Sequence, residues 1–205
     1  MNVPLKIERA GATWTFTLNR PEKRNALSAE LVDALLAGVE EAHRDGAALL
    51  VFRGEGKNFS AGFDFGDFDT QSEGDLLLRF VRIEALLHMV ARSPCLTVAL
   101  VHGRNFGAGV DLIACCRQRI AVPETTFRMP GLKFGLVLGT RRFADLVGRA
   151  RAAAILHEAR TFDAAEAQAI GFVEALVDAA DWPATLDAAR KASTTLDAQT
   201  RASLY

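Results

Sequence analysis

Two short stretches share one grammar: an aromatic residue, then small residues, then an acid. They are Phe59-Ser-Ala-Gly-Phe-Asp64 and Phe106-Gly-Ala-Gly-Val-Asp111. Small residues let a backbone come close to a ligand, and unsatisfied N–H groups at a helix start attract negative charge. Two such loops facing each other would aim two N–H donors at one oxygen. That is an oxyanion hole, in which one donor can be worth ~3–4 kcal/mol to a transition state. For either loop alone the plainer reading is a tight strand-to-helix turn that glycine permits. Gly107-Ala-Gly109 is not a dinucleotide fingerprint, because Leu112 stands where a third glycine belongs. No G-x-S-x-G elbow surrounds Ser60, and no GK[ST] phosphate loop occurs.

Each loop follows a short, nearly continuous apolar run, Ala47–Phe52 and Cys95–Val101, as buried strands would read. Short strands are also expected at Leu5–Glu8, Thr13–Leu18 and Arg119–Val122. Ser28 reads as the N-cap of a helix to about Asp45, with Leu27, Leu31, Leu35 and Val39 four apart on one face. Asp75–Arg92 has the same character through Leu76, Phe80, Ile83, Leu87 and Val90, and Pro94 marks its end. Further helices are expected at Val110–Cys115, Thr140–Val147, Arg149–His157 and Asp163–Ala169, the last stopped by Gly171. Strands alternating with helices make an α/β protein, with the strand order left open.

The 205 residues carry 24 basic and 25 acidic side chains, so the charge gives no sign of a nucleic-acid partner. Cys95, Cys115 and Cys116 are too few and too badly spaced for a disulfide framework or a zinc site, and no metal is expected. No apolar run approaches the length of a membrane span, and MNVPLKIERAG lacks a signal-peptide layout. A soluble, cytoplasmic protein with reduced thiols is the expectation.

With these pieces in place, the sequence resembles the enoyl-CoA hydratase/isomerase family, the crotonase superfamily. The resemblance rests on NRPEKRNALS (Asn19–Ser28), FSAGFDF (Phe59–Phe65), HGRNFGAGVDL (His102–Leu112), FRMPGLKFGL (Phe127–Leu136) and TFDAAEAQAIGFVEALV (Thr161–Val177). It implies a crotonase-like right-handed spiral of ββα units over residues 1–177. Residues 178–205 would be a shortened C-terminal helical segment, since typical relatives continue through further helices. It also implies an acyl-CoA thioester as partner, no separate cofactor beyond the coenzyme A of the substrate, and a homo-oligomer, a trimer or dimer of trimers, that the short C-terminus puts in question.

By motif position, the resemblance makes the N–H groups of Ala61 and Ala108 the oxyanion donors, with Gly62, Phe63 and Gly107 beside them at the substrate. Alanine at 108 is acceptable where its φ is negative. Arg24 and Ala26, with Lys23 adjacent, match the stretch that meets the adenine and phosphate end of CoA; a solvated basic turn is the plainer alternative. Asp64 would cap the following helix or lie near the adenine, with capping favoured. Hydratases of the family use two glutamates. Asp111 falls on the first position, one methylene short, and misplacement by about an ångström can cost on the order of a hundredfold in rate. The second position, after Pro130, is Gly131, so that carboxylate is missing. Isomerase or decarboxylase chemistry is therefore expected ahead of hydration, with a non-catalytic acyl-CoA-binding or partner protein as the alternative. Asp67, Asp69 and Glu73 are weighed as stand-ins for the absent acid, with a solvated acidic loop the favoured reading. His88 and His157 read as structural, His102 as remote from the chemistry, and Cys115-Cys116 as core.

Overall fold

The computed structural model describes residues 3–66 and 68–205. Strands β1 (Leu5–Ala10) and β2 (Thr13–Leu18) form an antiparallel hairpin. Helix α1 (Ala29–Arg44) then leads to β3 (Leu49–Gly54), and α2 (Glu73–Ala91) leads to β4 (Leu96–Val101). The short β5 (Arg104–Phe106) and α3 (Ala108–Cys115) precede β6 (Gln118–Ala121). After β7 (Thr126–Arg128) come α4 (Thr140–Val147), α5 (Arg149–Glu158), β8 (Thr161–Asp163), α6 (Ala164–Ala169) and β9 (Ala175–Leu176). The chain closes with α7 (Trp182–Ser193) and α8 (Ala198–Leu204).

The strands make a six-stranded sheet in the order β1-β2-β3-β4-β6-β9, parallel from β2 onward, and a small sheet β5-β7-β8. Chain order and sheet order therefore agree, as expected when successive helices carry the chain to the next parallel strand. Alternate residues of β3 feed opposite sides. Leu50 and Phe52 join the main core beneath α1 and α2, while Leu49 and Val51 join a second cluster that includes Ala189 of α7. Both faces of the strand are covered, which is why its sequence is an unbroken apolar run.

Ser28 accepts the Leu31 N–H and starts α1, and Leu27, Leu31, Leu35 and Val39 are all buried. The second long helix begins at Glu73, two residues before its expected start. Ser72 is its N-cap, and the Asp75 side chain completes a capping box with it. Asp163 caps α6, and Gly171 follows its end with a left-handed φ of 80°. Four short strands, β5, β7, β8 and β9, were not expected, since two or three residues are too few to show an alternating pattern.

Candidate active site

The two small-residue loops leave the C-terminal ends of adjacent parallel strands, β3 and β4. Ligands of open α/β sheets bind at such strand ends. Two asparagines tie the loops together, and a third ties the first loop to the turn before α1. Asn58 Oδ1 accepts the Arg104 N–H at 2.8 Å, and Asn105 Oδ1 accepts the Ser60 N–H at 3.2 Å. Asn25, buried with a left-handed φ of 53°, accepts the Arg20 N–H and donates to the carbonyls of Glu55 and Asn58. Its own carbonyl accepts from Ser60 Oγ at 2.8 Å. Asparagine tolerates this conformation better than other residues that carry a side chain.

Gly62 is a point of close approach between the loops. A Cβ there would lie 2.3 Å from the Phe106 carbonyl oxygen and 3.2 Å from the Ala108 nitrogen, and its φ is +81°. Only glycine meets both demands. This contact also decides which amides face the ligand. Ala61, expected as a donor, gives its N–H to the Arg24 carbonyl at 2.9 Å. That expectation is corrected: the amide is consumed in joining two loops. Gly62 donates to Ser60 Oγ. The next amide, Phe63, has no hydrogen-bond acceptor among the described residues, and neither does that of Ala108 at the first position of α3. Each follows a glycine with positive φ, Gly62 or Gly107. Ala108 itself avoids the left-handed region, so its methyl group is accommodated without backbone strain.

Both residues border a cavity of about 340 Å³. Its walls are mainly apolar, with Phe65, Phe80, Ile83, Leu87, Met129, Leu136 and Leu138 among them. Arg24, Glu84, Asp111 and Thr140 are its polar members. Asp111 is 6% exposed, and its Oδ1 has no hydrogen-bond partner among the described residues. Burial pushes its carboxyl pKa up to about 8; Arg142 pulls it down and Glu84 pushes it further up. The carboxyl is therefore protonated at neutral pH. Gly139, the N-cap of α4, closes over it: a Cβ at Gly139 would fall 1.9 Å from Oδ1.

Pro130 and Gly131 also line the cavity, and Gly131 opens a 3-10 turn that runs to Phe134. Arg24 is exposed at the rim with a left-handed φ of 51°, while Ala26 is buried and its carbonyl accepts from Arg20. Asp64 is not the N-cap of α2, which is Ser72. It accepts the Gly66 N–H at 2.9 Å and pairs with Arg20 at 2.7 Å. Burial works to raise its pKa, but these partners outweigh it and hold the carboxyl below its ordinary value. Asp69 and Glu73 are exposed and do not border the cavity. Asp67 lies outside the described residues.

Glu84 and Arg142 were not recognised from the sequence. They form a two-point ion pair, with Nη2–Oε1 at 2.6 Å and Nη1–Oε2 at 3.1 Å, joining α2 to α4 beside Asp111. The available signal was position: Glu84 lies next to Ile83 on the stripe that also holds Phe80 and Leu87. His102 lies away from the cavity, with Nε2 near the Gly56 carbonyl and its ring by Trp182. His88 and His157 are exposed, and all three cysteines are free and buried. Among the described residues no three His, Cys, Asp or Glu side chains form a metal site, and no helix is long and apolar enough to cross a membrane.

Paired free amides at the ends of parallel strands, above an apolar cavity with one buried acid, define an α/β protein of the crotonase fold. The sequence model for "enoyl-CoA hydratase/isomerase" matches residues 8–204, and the chain belongs to that family. A solved structure of an enoyl-CoA hydratase/isomerase from Bordetella parapertussis is 66% identical, with a TM-score of 0.98 over 99% of this chain and 85% of that one. A probable enoyl-CoA hydratase of Mycobacterium tuberculosis is 34% identical over 88% of this chain and 74% of its own length. An ethylmalonyl-CoA decarboxylase of Pongo abelii is 31% identical over 86% of this chain and 60% of its own.

Proposed function

We propose that the protein binds an acyl-CoA thioester and stabilises its enolate, with Asp111 as the sole acid/base group touching the acyl carbons. The thioester oxygen lies between the N–H groups of Phe63 and Ala108, which have no other acceptor to leave when charge develops. The observation that carries this reading is that those two amides, neither with an acceptor among the described residues, border the same cavity as one buried acid.

A protonated acid suits decarboxylation ahead of isomerisation. The bond from the α-carbon to a substrate carboxylate breaks, CO₂ leaves, and the electron pair moves into the thioester to form the enolate. Asp111 then gives its proton to the α-carbon and is reprotonated from solvent. Likeness to an ethylmalonyl-CoA decarboxylase supports this order. Isomerisation instead requires the ionised form, which removes a proton before returning it elsewhere. Hydration needs a second acid/base group besides Asp111, and Gly131 has no side chain to supply it; a placed proton-transfer group is worth ~10²–10⁴-fold.

The test is calorimetry with acyl-CoAs, followed by turnover of malonyl-type and enoyl thioesters across pH. Decarboxylation that declines above about pH 8, following the Asp111 carboxyl, supports the donor role, whereas a rate rising toward that pH supports isomerisation. Tight binding without turnover of any thioester would favour the non-catalytic binding protein. Robust crotonyl-CoA hydration that survives Asp111→Asn would sink the assignment of Asp111.

A further inference from the structure

We infer that Glu84 is a positioning residue for Asp111: by engaging both terminal nitrogens of Arg142, it keeps that guanidinium off the Asp111 carboxyl and leaves an unpaired proton donor in the cavity. The inference deepens the reading of Asp111 as proton donor and rests on it for its catalytic meaning.

Arg142 is in the first turn of α4, three residues after Gly139, whose backbone presses on the Asp111 carboxyl. Two carboxyl groups thus stand near one guanidinium. Glu84 takes it at two points, and Asp111 Oδ1 is left buried without a partner. The groups that face Asp111 are Glu84 from α2, Arg142 from α4, and Cys115 one turn along α3. Burial pushes the Cys115 thiol up to about 12, so it stays neutral and does not compete. The state of Asp111 therefore depends on which acid holds Arg142. A carboxyl group beside an arginine has its pKa lowered by ~1–3 units, enough to convert a protonated donor into a carboxylate at neutral pH.

The experiment is carbon-13 NMR of aspartate-labelled protein without ligand, with the Asp111 carboxyl resonance assigned by its loss in Asp111→Asn. Glu84→Gln should lower the Asp111 midpoint by about one pH unit or more, a tenfold change in proton affinity, as Arg142 turns to the free Oδ1. Arg142→Met should raise it. Glu84→Asp, which keeps the charge, should restore most of the parent value. The double variant Glu84→Gln/Arg142→Met removes both charges and should titrate close to the parent, which keeps the test available should either single variant fold poorly. An Asp111 midpoint that is the same in the parent, Glu84→Gln and Arg142→Met would overturn the inference. So would a double variant far from the parent. Because no ligand is present, the outcome is separate from the acyl-CoA reading, which calorimetry and turnover test on their own.

Discussion

Replacing Asp111 by asparagine should change not only activity but the pH dependence of folding. The folded carboxyl titrates at about 8, and its unfolded reference is 3.8. Between those values the native state holds a proton that the unfolded chain has released, so stability falls as pH rises. Each pH unit in this window is worth about 1.4 kcal/mol, so by pH 7 the buried carboxyl costs on the order of 4 kcal/mol relative to pH 4. Asparagine has nearly the same shape and does not titrate, which leaves only a constant offset from its own hydrogen bonding. Urea unfolding at intervals from pH 5 to 9 measures the effect. The stability of Asp111→Asn minus that of the parent should climb steadily with pH and level off above about 8. A flat difference would mean that Asp111 is ionised in the native state, and the reasoning from its burial would be wrong. A difference that grew toward low pH would reverse the sign and refute it more directly.

Gly62→Ala should separate the loops, because its Cβ would fall 2.3 Å from the Phe106 carbonyl and backbone cannot swing aside as a side chain can. A displacement of an ångström costs on the order of a hundredfold in rate, so acyl-CoA turnover should drop by that factor while circular dichroism stays native. Asn25→Ala removes three side-chain hydrogen bonds, two of which anchor the first loop through the Glu55 and Asn58 carbonyls, and the left-handed tolerance of asparagine. Urea denaturation should show a loss of about 2–4 kcal/mol, and Asn25→Asp should lose at least as much, since its carboxylate would face the Glu55 and Asn58 carbonyls with no proton to donate.

Much of the fold was legible because burial imposes periodicity. Leu31, Leu35 and Val39 could announce a helix face, though Leu27, read with them, precedes the cap and pairs with Phe63, and the run Ala47–Phe52 could announce a strand covered on both sides. The repeated grammar of Phe59–Asp64 and Phe106–Asp111 likewise pointed to two turns that could face one another, while the missing carboxylate at Gly131 followed from the resemblance to the family. The helix face, the covered strand and the shared loop grammar are properties of residue type and spacing along the chain alone.

Tertiary structure decided how each group is used. Whether an amide is free depends on which carbonyl packs against it: the Arg24 carbonyl claims Ala61, so the free donor is Phe63, two residues further on. The pairing of Glu84 with Arg142 joins positions 58 apart, and nothing in the local pattern of either helix encodes it. Asp111 was visible as an acid, but its protonation follows from burial beneath Gly139 and from a guanidinium already held by Glu84. Periodicity tells a side chain which way to face; hydrogen bonding and pKa depend on what it meets there.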